Sequence, residues 1–138
     1  MLEVMIAILT ITAFSIGTLQ LMAFTALYKV LAERQAQANF WIQEDFEDVK
    51  YLASTLAFDE KWCTGEEGYA TALRGQLTAT LIPDRTIVGK NYSLSRTFNI
   101  TSANPHRLRI DYQVQNQEND VIAKSSVEVI PDASFKCP

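Results

Sequence analysis

Leu2-Glu3-Val4-Met5-Ile6-Ala7-Ile8-Leu9-Thr10-Ile11-Thr12-Ala13-Phe14 opens a stretch that reaches Tyr28 with no charged side chain after Glu3. The uncharged run is about 25 residues, or about 37 Å of helix at 1.5 Å per residue, against about 30 Å of bilayer hydrocarbon. It is long enough to span with some tilt. A cleavable signal peptide carries a basic flank, a shorter apolar core and a small-residue cleavage site, and none of these stands here, so the run reads as a retained membrane helix. Lys29 and Arg34 follow the run and no Lys or Arg precedes it. Taken literally, the positive-inside rule would place the C-terminal part in the cytoplasm. That reading is set aside because a basic leader preceding the run would decide orientation instead.

Beyond the apolar run the pattern becomes amphipathic. Ile42, Phe46, Val49, Ala53 and Leu56 recur at helical spacing, and the first proline is Pro83. A single helix from about residue 2 to 58 follows, with Gly17 its one weak position. The expected division is a transmembrane half over 1–30 and a globular part over 31–138. The latter comprises the amphipathic helix at 31–58, a connecting loop at 59–74 and a sheet at 75–138. The chain of 138 residues is long enough for one compact domain plus this appendage, and too short for two ordinary cores.

Alternation marks the strands. Gly75 to Ile82 reads as the first, ending at the turn signal Pro83-Asp84. Tyr92, Leu94, Phe98 and Ile100 share a face in the second, with Arg96 interrupting the apolar set. Leu108, Ile110, Tyr112 and Val114 alternate with Arg107, Arg109, Asp111, Gln113 and Gln115 in the third, the clearest period of two in the chain. Val121, Ala123, Ser125, Val127 and Val129 give a fourth, ending at Pro131. The fold class is therefore α+β, a long N-terminal helix packed on an antiparallel sheet of about four strands. Cys63 and Cys137 fit no zinc or redox spacing; they are either bridged, in an oxidising compartment, or two separate buried thiols.

The string Leu2-Glu3-Val4-Met5-Ile6-Ala7-Ile8-Leu9 resembles the mature N-terminus of type IV pilins and type II secretion pseudopilins. The order of long helix, variable loop, antiparallel sheet and C-terminal cysteine is similar to the pilin head. The run Tyr92 to Ile100 and the strand after it look like PilV-type minor pilins and the I-type minor pseudopilins. The resemblance implies removal of a leader by a peptidase, residence in the bacterial inner membrane with a periplasmic head, and assembly on a platform into a pilus or pseudopilus. Leu2, Glu3, Val4 and Met5 would then form the assembly segment, with Glu3 meeting the free amine of a neighbouring subunit. The family's glutamate stands two positions further from the mature N-terminus than Glu3 stands from Met1. Major pilins often carry a proline in the apolar half, and its absence leans toward a minor subunit. The alternatives are a single-pass anchored binding protein outside the cytoplasm, or a pilus-tip adhesin or DNA receptor.

Catalytic chemistry has little to stand on. His106 is the only histidine, placed in the turn Ser102 to His106, and no nucleophile elbow, phosphate loop or dinucleotide fingerprint occurs. The chain is read as a non-enzyme without cofactor or metal. Glu44, Asp45, Glu47 and Asp48 make an acidic patch on the helix that is solvated or faces another subunit. Lys90, Arg96, Arg107, Arg109 and Lys124 are its candidate partners across a subunit contact. Arg96, Arg107, Arg109 and Lys124 are also the possible DNA contacts, although a net charge of -4 makes nucleic acid an unpromising partner.

Overall fold

The computed structural model describes the whole chain, Met1 to Pro138. Helix α1 spans Leu2–Thr55, followed by a 3-10 turn at Glu60–Trp62 and helix α2 at Tyr69–Ala79. Strands β1 (Arg85–Ile87), β2 (Lys90–Thr101), β3 (Asn104–Asn116) and β4 (Val121–Val129) follow, and a 3-10 turn at Asp132–Lys136 ends the chain. All neighbouring strands are antiparallel, in the order β1-β2-β3-β4. The α+β arrangement is the one the alternation implies.

Two compact units divide at Arg34 and Gln35. The boundary falls a few residues beyond the expected 30/31 division, just before Ala38, the first buried side chain of α1. Unit one, residues 1–34, is helix alone. Unit two, residues 35–138, holds the hydrophobic core.

That core follows from two periodicities meeting. Ala38, Trp41, Ile42, Val49 and Ala53 line one face of α1, with Phe46 and Leu52 half-buried beside them. Leu108, Ile110, Tyr112 and Val114 line the facing side of β3, joined by Leu94 and Tyr92 from β2 and by Ala123 and Val129 from β4. Residues of the opposite sheet face, such as Ser95, Thr97, Asn99, Arg109, Lys124, Ser126 and Glu128, are exposed. Helix α1 ends at Thr55, so Leu56, the last residue of the expected stripe, lies beyond the helix and outside the core cluster.

The expected first strand at 75–82 is instead the second half of α2, ending at Ala79, and the start of the connection to β1. Tyr69, Ala70, Leu73 and Leu77 are the buried residues of that helix, spaced one, three and four apart. This is a helical face that a loop boundary at residue 74 cuts in two. The 59–74 segment accordingly holds the Glu60–Trp62 turn and the start of α2. Strand β1 lies later, and its turn into β2 uses Val88 and Gly89 at φ 44° and 78°, the left-handed pair that a two-residue hairpin needs.

Gly68 precedes α2 where the chain crosses β3. A side-chain carbon there would lie 2.2 Å from the Pro105 carbonyl oxygen, so only glycine allows the approach. His106 is not in a turn, as the sequence suggests, but in β3, because Thr101 pairs with Asn104 and the hairpin is tight. Its Nδ1 accepts the backbone N–H of Tyr69 at 3.1 Å, satisfying a donor in the first turn of α2. The Tyr69 hydroxyl donates to the Asp59 carbonyl at 3.1 Å and its oxygen accepts the Asp59 N–H at 3.0 Å. One tyrosine and one histidine thus fix both ends of the connection between the helices.

Cys63 and Cys137 are bridged, with their Cα atoms 5.5 Å apart and a separation of 74 positions in sequence. Closing so long a loop stabilises the folded chain by about 4 kcal/mol in the chain-entropy account. Replacing both cysteines with serine is expected to lower unfolding stability by about that amount, and denaturant titration of the variant checks it.

Candidate functional site

From Val4 to Tyr28, unit one presents an exposed, largely apolar surface without a charged side chain. Leu2, Val4 and Met5 are 74, 60 and 62% exposed, and Phe14, Leu19, Leu21, Phe24 and Leu27 are exposed in the same way. By length and composition α1 contains one segment able to cross a membrane, near the N-terminus, and none of that segment is buried within the protein. Glu3 lies in the first turn, where the helix dipole favours a carboxylate, and it has no ion-pair or hydrogen-bond partner within the chain.

The hydroxyl residues of this segment are satisfied internally. Thr10 donates to the Ile6 carbonyl at 2.8 Å, Thr12 to Ile8 at 2.7 Å and Ser15 to Ile11 at 2.8 Å. Thr18 donates to Phe14 at 2.8 Å and Thr25 to Leu21 at 2.9 Å. Each hydroxyl proton is spent on the turn before it, so the hydroxyls enter an apolar environment without an unpaired donor. At Gly17 a side chain would meet nothing within 4 Å. The helix surface is smooth there and open to another helix.

In unit two three of the four carboxylates of the acidic patch, all but Asp48, find cations inside the chain. Glu44 Oε2 accepts Arg85 Nη1 at 2.9 Å, and the Arg85 guanidinium also lies 5.0 Å from the Trp41 ring centre. Lys50 pairs with Glu47 on the same helix. Asp45 Oδ2 lies 3.5 Å from Arg96 Nη1, and these side chains are only 14 and 7% exposed. Arg96 Nη2 donates to the carbonyls of Thr80 at 3.0 Å and Leu77 at 3.4 Å.

Arg96 is therefore no outward contact for DNA or a subunit. Its position on the core face of β2, across from Tyr112, points it beneath α1, where it ties the sheet to both helices. The interruption it makes in the apolar set was the signal of this inward role. Arg85 went unrecognised as a partner of the patch because it follows a turn outside any periodic run. Arg107 and Arg109 do emerge on the outer face, where Arg107 Nη1 lies 3.7 Å from Glu128 Oε2 and Arg109 Nε 3.2 Å from Asp111 Oδ1. Lys124 is exposed beside them without an ion-pair partner. Lys90 opens β2 at the far end of the sheet. These cations form no continuous stripe, since Glu128, Asp111 and Gln113 are interleaved with them.

Two titration limbs follow from this geometry. The hydrogen bond and charge of Arg85 hold Glu44 below its ordinary 4.5, and Lys61 does the same for Asp59 below 3.8. Asp111 is lowered from 3.8, first by a hydrogen bond from Ser126 and then by Arg109. On the core face, burial and then the neighbouring Asp45 charge push the Tyr112 phenol well above 10.0. No group of three histidine, cysteine or acidic residues converges to hold a metal ion.

No family model, no curated protein and no solved structure matches this chain.

Removing one member of the buried pair leaves a charge without its partner, so Arg96→Ala is expected to cost about 3 kcal/mol. Adding Asp45→Ala should recover part of that loss, and a double-mutant cycle by denaturant unfolding measures the coupling. The lowered carboxylates stabilise the fold above their ordinary values and lose that contribution as pH falls through their folded ones. Tyr112, raised, contributes below pH 10.0 and loses its contribution as pH climbs above it. Melting temperature should therefore fall below about pH 4.5 and again above pH 10.0. Tyr112→Phe should flatten the alkaline limb, because it removes the phenol that ionises, and at little cost below it, because that hydroxyl completes no hydrogen bond in the chain.

Proposed function

We propose that the protein is a structural subunit of a type IV pilus or type II secretion pseudopilus, most consistent with a minor pilin, that assembles through α1. The observation that carries this reading is Glu3, a carboxylate without a partner in its own chain, at the start of a segment of α1, Leu2 to Tyr28, that is otherwise uncharged and wholly exposed. A passive anchor has no use for such a group. A helix that leaves lipid to pack among sister helices can use it, since a carboxylate buried between apolar helices is costly alone and tolerable beside a cation.

The proposed cation is the amine of a neighbouring subunit, with Leu2, Val4 and Met5 packing around the pair. Before assembly the first thirty residues lie in the bacterial inner membrane with residues 31–138 in the periplasm, the compartment that suits the Cys63–Cys137 bridge. The resemblance implies a leader peptidase and an assembly platform as partners, with no catalytic role. The internally bonded hydroxyls of Thr10, Thr12, Ser15 and Thr18 support the exchange, because they suit lipid and a helix bundle equally.

A single-pass anchored binding protein is the second reading, favoured by the spanning segment taken alone. The two part at Glu3. Under the filament reading, Glu3→Ala should leave membrane insertion unchanged and reduce incorporation into filaments by about a hundredfold. Membrane fractionation and immunoblotting of sheared filaments read the two quantities. Normal incorporation without the carboxylate would sink the assembly role and leave the anchor.

A further inference from the structure

Strand β4 is the outer strand of the sheet, bonded to β3 on one side. Its outward backbone groups have no partner elsewhere in the chain, since the remaining backbone bonds all lie in turns, loops and helix ends. The opposite edge is treated differently. β1 covers the start of β2, and Arg96 ties β2 to the end of α2. An open edge is a template for another strand, and its side chains decide which strand it accepts.

We infer that β4 is a self-docking edge: two copies of this chain pair antiparallel through residues 123–129, with Ser126 facing Ser126. In that register Lys124 of each copy stands opposite Glu128 of the other. Ala123 stands opposite Val129, and Ser125 opposite Val127. The core-side residues Ala123, Ser125, Val127 and Val129 meet one another, while the exposed Lys124, Ser126 and Glu128 meet on the outer face, so both faces continue across the junction.

Charge selects this register over its neighbours. Sliding by one step in either direction, to centre on Ser125 or Val127, sets Lys124 against Ser126 or Ile130 and leaves no opposite charges facing. Lys124 has no ion-pair partner in its own chain, and Glu128 is held by Arg107 only at 3.7 Å. A lysine on an edge ordinarily keeps other strands away. Here it repels strands that lack an acidic residue at the matching place and accepts its own copy, which supplies one. The contact lies within unit two and does not rest on the filament reading.

Oxidative cross-linking of the full chain in native membranes tests the register, because both native cysteines are already bonded to each other. Facing residues of an antiparallel pair have Cα atoms about 4.5–5.5 Å apart, within disulfide reach. Ser126→Cys should give a dimer of twice the chain mass. Lys124→Cys should not, since the two substituted positions are offset by four residues, about 13 Å. A mixture of Lys124→Cys and Glu128→Cys copies should cross-link to each other. Placed on the Ser126→Cys background, Lys124→Glu should reduce the dimer about tenfold by setting like charges opposite at two places, and Lys124→Glu with Glu128→Lys should restore it. Equal cross-linking at 124 and 126, a product containing a different protein, or failure of the double reversal to restore the dimer would each overturn the inference.

Discussion

The seam between α1 and the sheet sets the terms for everything else in unit two. Trp41, Ile42, Val49 and Ala53 can be buried only if the sheet offers one apolar face, and β3 supplies it through Leu108, Ile110, Tyr112 and Val114. Helix α2 completes the cover with Leu73 and Leu77. The burial has a polar exception, the Asp45–Arg96 pair, which sits where a hydrophobic pair would pack at least as well. What the charges add is direction. Arg96 reaches the Leu77 and Thr80 carbonyls as well as Asp45, so one side chain fixes α1, α2 and β2 in a single relative placement.

How much of this was readable beforehand depended on whether the signal was local and repeated. The third and fourth strands are found as their alternation implies, and α1 ends within a few residues of its expected limit. Helix α2 was hidden because its buried positions straddle a boundary drawn at residue 74, and because Leu77 and Leu81 also satisfy a period of two. The buried role of Arg96 and the capping role of His106 are tertiary facts. Each is set by which backbone passes overhead, Leu77 to Thr80 in one case and Tyr69 in the other. The bridge between Cys63 and Cys137 could be entertained from the cysteine count, yet a count cannot exclude two separate thiols. Glu3 was conspicuous in sequence because it is alone. The structure adds that it is alone in space as well.

Unit one solves a different problem. Its backbone is satisfied by helical bonding, and its hydroxyls are satisfied by the turns before them. From Val4 to Leu27, every side-chain polar group except the amide of Gln20 is thereby made indifferent to what surrounds the helix. The outer face of the sheet shows the opposite strategy. Serines, glutamines and interleaved charges keep it wet, and its edge discriminates by the placement of two charges four residues apart.

The covalent bridge near the C-terminus has a mechanical consequence. Because Cys63 is joined to Cys137, a pull between the start of α1 and the last residue travels along α1, through the Glu60–Trp62 turn, across the sulfur bond and out at Pro138. Helix α2 and all four strands hang outside that path as a closed loop. Tension applied to the ends of this chain would load the helix and leave the sheet slack.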